Sequence, residues 1–128
     1  MHEARGTFEV KLTPADGPPI GRMTIDKTFG GDLVGTSVGQ MLAFRTPVEN
    51  SAGYVAMERV EGTLTGRTGA FTLQHSGTMD RGAPTLSVSV VPDSGTDGFE
   101  GLTGTMDIVV SPGRHDYIFR YALPPRAE

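Results

Sequence analysis

A chain of 128 residues with 37% apolar and 20% charged side chains has the composition of one soluble globular domain, and no compositional shift divides residues 1–128 into two. A formal charge of −4 with only 11 Lys and Arg argues against nucleic acid as a partner, and the absence of cysteine removes disulfides and thiolate chemistry together. No apolar run approaches the roughly 18 residues that span a bilayer, and the start MHEARGTFEVKL lacks the apolar core of a secretory signal, so a cytoplasmic protein without a membrane partner is expected.

Thr7 to Leu12 alternates strictly, placing Phe8, Val10 and Leu12 on one face of a half-buried strand. The run Thr13 to Pro19, with three prolines and an Asp-Gly pair, is expected to end it. Ile20 to Phe29 alternates again, and Lys27 falls among the apolar set, either near a strand end or as partner to an interior carboxylate. Gly30-Gly31-Asp32 signals a turn, after which the glycine-rich Leu33 to Leu42 is expected to form a bent strand suited to a small barrel.

Gly53 to Met79 is the longest ribbon, with two strands joined by one tight turn. Both faces of its first strand are about equally apolar, so periodicity does not decide which is inside. A two-residue loop at Gly66-Arg67, with glycine first as a type II′ turn favours, pairs Thr65 with Thr68. Val60 then meets Leu73, Glu58 meets His75 and Tyr54 meets Met79, with the apolar set of the second strand turned inward. One residue of slip would exchange the faces.

Leu86 to Val91 is a further strand, and Pro92 to Gly98 is a turn-rich loop long enough to cross one barrel end. The last two strands carry Leu102 to Val110 and Tyr117 to Leu123. A type II turn with Pro112 and Gly113 at its centre pairs Val110 with His115, Ile108 with Tyr117 and Met106 with Phe119. Eight strands with short connections predict an all-β fold, a closed eight-stranded antiparallel barrel, with a two-sheet sandwich as the alternative. Gly-Thr recurs at Gly6, Gly35, Gly62, Gly77, Gly95 and Gly104, but without the fixed period of a repeat protein.

Glu58 and His75 are the candidate catalytic pair, because a carboxylate that orients an imidazole raises its basicity. A cross-strand polar pair facing solvent is the structural alternative. Tyr54, on the face of Glu58, could add a phenolic donor, or serve as a core aromatic with a wet hydroxyl. Arg59, Arg67, Gln74 and Ser76 are expected outside, and His2 lies in a segment expected to fray. Three scattered histidines do not make a metal site, Asp93 and Asp97 lack the spacing of a calcium loop, and no cofactor is expected.

The segments GTFEVKLTP, GDLVGTSVGQM, SAGYVAMERVEGTLTGRTGAFTLQHSGTM and VVPDSGTDGFEGLTGTM resemble a bacterial family, domain-of-unknown-function 3224, of the allene oxide cyclase barrel-like superfamily. That resemblance implies a closed eight-stranded barrel and no established activity. The wider superfamily includes plant cyclases acting on fatty-acid epoxides, dirigent proteins and polyketide cyclases, none of whose motifs maps onto this chain residue by residue.

Three readings follow. The barrel binds a small apolar or amphipathic molecule, with Tyr54, Glu58 and His75 as polar contacts and Phe71, Leu73, Met79 and Phe119 as apolar ones; this requires a cavity. Alternatively it is an isomerase or cyclase in which His75, assisted by Glu58, moves a proton. The third reading is a non-catalytic homo-oligomer, a dimer or higher, assembled through Val55, Met57 and Val109.

Overall fold

The computed structural model describes residues 1–124. Nine strands follow one another as β1 (His2–Asp16), β2 (Gly21–Gly31), β3 (Leu33–Arg45), β4 (Ala52–Leu64), β5 (Arg67–Asp80), β6 (Ala83–Val90), β7 (Thr96–Asp97), β8 (Thr103–Ser111) and β9 (Arg114–Ala122). All pairings are antiparallel, and the order β4-β3-β2-β1-β9-β8-β6-β5 closes on itself through β4 and β5. This is the expected eight-stranded barrel, not the sandwich. The two-residue β7 is an addition outside the barrel wall, paired with Gly69 and Ala70 of β5.

Opposed residues can be followed right round the wall, from Thr13 through Thr24, Gln40, Met57, Gln74, Ser89, Thr105 and Arg120. The path returns to β1 at Glu3, ten residues from its start. That stagger forces the strands to tilt, by roughly 35–45° in barrels of this kind, and leaves a lumen that side chains fill or that holds one small ligand.

The two ends differ. At one, the loop after β6 folds across the opening and inserts Phe99 and Leu102, both buried, against Phe71, Phe119 and Tyr121. Phe71 meets Phe99 edge-on at 5.3 Å and stacks on Phe119 at 5.7 Å. The expected cross-barrel loop is therefore a plug. At the other end β1 outruns its neighbour, since β9 pairs with it only as far as Phe8, opposite His115.

That overhang explains why β1 does not stop before the prolines. Pro14 pairs with Met23 of β2, while its other side has no strand that needs an N–H donor, and the strand continues through a register shift to Asp16. His2 is likewise held, paired with Tyr121 and 5.4 Å from its ring, instead of fraying. β3 keeps unbroken register with both neighbours, so its glycines do not introduce a bulge.

Five of the Gly-Thr dipeptides share one use, with glycine on the lumen side of a strand and threonine outside. Tyr117 lies across Gly6, where a Cβ would stand 2.5 Å from its hydroxyl oxygen. That hydroxyl donates to the Gly30 carbonyl at 2.8 Å and accepts from the Leu33 N–H at 2.9 Å, tying β9 to the β2–β3 turn. Among the described residues no helix is long and apolar enough to cross a membrane.

Candidate functional site

The β4–β5 ribbon turns at Thr65-Gly66, not at Gly66-Arg67. Both residues have positive φ, 48° and 77°, as a type I′ turn requires, and Leu64 pairs with Arg67. Glu58 therefore opposes Leu73, His75 opposes Ala56, Val60 opposes Phe71 and Tyr54 opposes Gly77. Each expected partner is displaced by two residues along the strand. Because side chains alternate with a period of two, that displacement leaves the faces unchanged, and Glu58 and His75 still share the lumen as diagonal neighbours.

Their contact is direct. His75 Nε2 lies 2.6 Å from Glu58 Oε1, with Glu58 1% and His75 4% exposed. Two residues from neighbouring strands complete the group. Lys27 Nζ of β2 donates to Glu58 Oε1 at 2.8 Å, and Ser37 Oγ of β3 donates to Oε2 at 2.5 Å. Lys27 thus takes the second role the alternation allowed, partner of an interior carboxylate. Its ammonium also stands 4.6 Å from the centroid of the Phe8 ring, a cation–π contact inside the barrel.

Burial is the largest influence on Glu58 and pushes its carboxyl up, but the hydrogen bond with His75, the charge and hydrogen bond of Lys27 and the Ser37 hydroxyl together prevail, holding it at about 2. Glu58 is an ionised acceptor, so His75 donates to it through Nε2–H, and a neutral imidazole then has its lone pair at Nδ1. Tyr54 faces that nitrogen, its hydroxyl oxygen 3.5 Å from Nδ1. Burial foremost, and then the Glu58 charge, raise the Tyr54 phenol above its ordinary value, so it keeps its proton, which Nδ1 of a neutral imidazole would accept. The result is a chain from Tyr54 through His75 to Glu58, with Lys27 and Ser37 fixing the carboxylate from behind. Among the described residues no buried side-chain polar atom lacks a hydrogen-bond partner.

Tyr54 is the half-buried member of this chain and stands towards the end opposite the plug, the mouth of the barrel, where the inward rows reach solvent at Leu12, Met79 and Leu86. Its ring is accommodated by Gly77 opposite, where an added Cβ would lie 2.5 Å from Cε1. Around it Met23, Met41 and Ala43 are half-buried, and Leu12, Met79 and Leu86 are exposed. A rim groove of about 480 Å³ adjoins this lining and includes Arg45, Val48, Glu49, Ala52 and Met79.

The apolar residues expected to line a ligand divide between the two ends. Phe71, Leu73 and Phe119 are fully buried in the packed core, whereas Met79 is 40% exposed at the rim. Sequence reasoning missed Ser37 as a member of the polar group. Its signal was a hydroxyl in the inward row Leu33, Gly35, Ser37, Gly39 of a strand whose outward row alternates with it. Of the outward residues, Gln74 and Ser76 are exposed as expected, Arg59 pairs with Glu61, and Arg67 reaches the Pro124 carbonyl at 3.2 Å.

A family model described as "Protein of unknown function (DUF3224)" matches residues 4–121. The chain belongs to this family. It is similar to a DUF3224 protein of unknown function from Shewanella oneidensis, known from a crystal structure, with 45% identity and a TM-score of 0.93. The match covers 98% of this chain and 99% of that one. No curated protein matches it. The DUF3224 barrel is thus shared with a solved relative over its full length, and the chemistry must be argued from the polar group itself.

Proposed function

We propose that the barrel binds a small amphipathic molecule at its open mouth, with the polar end of the ligand against Tyr54 and its apolar part against Met23, Met41 and Met79. The observation that carries this reading is the half-buried Tyr54, the point at which an otherwise sealed polar chain meets the mouth. Small-molecule sites have this composition, an apolar lining with few placed polar groups, and methionine adapts to irregular ligands. The Phe71, Leu73 and Phe119 core would serve as the floor, not as the first contact. An isomerase or cyclase activity would be a use of the same site, with His75 acting through Tyr54.

Native mass spectrometry of the purified protein, followed by extraction, tests the reading. A bound molecule that is lost on Met41→Lys supports it. A protein that neither carries nor takes up any apolar probe, with the mouth resonances unmoved, removes it.

A second observation favours self-association. Leu42 and Phe44 of β3 and Val55 and Met57 of β4 are exposed side by side on the outer wall. The neighbouring outer rows are uncharged from Gln74 to Thr78 of β5 and from Thr85 to Ser89 of β6, and charge enters at the patch border, in the pairs of Arg22 with Asp16 and Arg59 with Glu61. The opposite wall carries Glu3, Arg5, Asp107 and Arg120 in ion pairs, and Val109 lies on that side, away from Val55 and Met57. Interfaces are depleted of charge at their centres. Sedimentation of the protein beside Val55→Asp is the test, with a smaller species expected for the variant and a monomeric parent opposing the reading.

A further inference from the structure

The ends of the polar chain restrict what kind of group the mouth can take. Glu58 is ionised and fully engaged, accepting from Lys27, Ser37 and His75. His75 has one nitrogen on Glu58 and the other facing Tyr54, so neither is open to a ligand. Tyr54 alone is reachable, and with His75 as the neutral imidazole its hydrogen is directed at the Nδ1 lone pair. Its oxygen therefore presents an acceptor to the mouth.

The charges around it reinforce this. The titratable and charged side chains of the group are Lys27 from β2, Tyr54 and Glu58 from β4 and His75 from β5; β1 contributes Phe8, β3 contributes Ser37 and β6 contributes Val88, all uncharged, and β9 adds a further titratable group behind Phe8, the half-buried His115 stacked on that ring at 5.1 Å. One ammonium and one carboxylate cancel, so a proton added at His75 leaves the cluster with one net positive charge in a low-dielectric interior. An anion created at the mouth in the same step compensates it.

Resting on the binding reading above, we propose that the ligand carries a weakly acidic hydroxyl, a phenol or an enol, and that the Tyr54–His75 chain accepts its proton. The ligand O–H bond breaks and its proton passes to the Tyr54 oxygen, as the phenolic proton moves from Tyr54 to His75 Nδ1. The products are a bound phenolate or enolate, an intact Tyr54 hydroxyl now donating to that anion, and an imidazolium held by Glu58 through Nε2–H. No electron changes hands. The 3.5 Å gap between Tyr54 and His75 is long for a hydrogen bond, and contacts of this kind shorten when a reacting group docks.

The experiment uses two probes of the same shape, 4-nitrophenol and its methyl ether 4-nitroanisole, with the intact protein. Binding is read from chemical-shift changes at the mouth methionines, and ionisation from the phenolate absorption band at a pH below the probe's own pKa. Bound 4-nitrophenol is expected to show a phenolate-to-phenol ratio about tenfold above that of the free probe, equivalent to one pKa unit. Tyr54→Phe, which removes one hydroxyl, is expected to bind the phenol with the ratio returned to the free-probe value. Bound nitrophenol that stays protonated, or an unchanged ratio in Tyr54→Phe, overturns the proposal. If nitroanisole binds in either case, the mouth reading stands while the proton chain falls; if neither probe binds, both fall.

Discussion

The plugged end and the open mouth of this barrel are built from the same strands by opposite means. At the plug, Phe71, Phe99, Leu102 and Phe119 exclude water by area and ring geometry, and any one of them is held by many weak contacts. Towards the mouth, Lys27, Ser37, Glu58 and His75 are also buried but are held by three side-chain groups converging on one carboxylate. The first arrangement loses stability gradually as atoms are removed. The second is intolerant of losing its centre, because each remaining partner was desolvated to face it. A barrel that needed only stability could have continued the aromatic packing upward, so the polar layer is the part that asks for a functional account.

The largest effects should come from removing the centre of each region. Glu58→Ala leaves the Lys27 ammonium buried without its partner and is expected to cost roughly 3–5 kcal/mol in denaturant unfolding. Phe99→Ala opens the plug and is expected to cost a similar amount, about 3–5 kcal/mol, through lost contacts and a cavity. Their dependence on pH separates them. Glu58 titrates at about 2 in the folded barrel against an ordinary value of 4.5, so the stability due to its ionised form is fully present above 4.5 and lost as pH falls through about 2. The gap between the parent protein and Glu58→Gln should therefore close over that window, whereas the Phe99→Ala deficit should persist; a Glu58→Gln deficit unchanged at pH 2 would break the contrast.

Gly77→Ala tests the junction between the regions. Its methyl group would meet the Tyr54 ring and the Thr85 carbonyl, and a loss on the order of 1–3 kcal/mol with displaced Tyr54 and His75 resonances is expected. The smallest effect belongs to Tyr54→Phe, which gives up one long hydrogen bond and should cost less than about 1 kcal/mol. A larger stability loss would mean that Tyr54 is a structural strut, and would weaken its assignment as the group presented to a ligand.

How far this could be read in advance differs between the wall and the site. The β8–β9 hairpin was legible to the residue, Val110 with His115, Ile108 with Tyr117 and Met106 with Phe119, because Pro112-Gly113 admits one turn and the apolar faces agree in one register. The β4–β5 turn was less legible, since Thr65-Gly66 and Gly66-Arg67 both offer two-residue loops, and a threonine at positive φ is not an obvious choice. The shared face of Glu58 and His75 survived because the two registers differ by an even step. Met79, by contrast, follows the inward alternation of β5 and yet lies 40% exposed, because alternation specifies a side and does not say where the barrel wall ends.

The alternating strands, most of the turns and the family follow from the order of residues alone, since these depend on residues close together along the chain or on the pattern as a whole. The same order also showed Lys27 out of place among apolar neighbours. That Lys27, Ser37 and His75 meet at the Glu58 carboxylate emerges only from the folded barrel. These residues come from four successive strands whose mutual heights are set by the three pairings between them, and the curvature of the closed wall brings the inward side chains of β2 and β4 together across β3, which no single strand's pattern records.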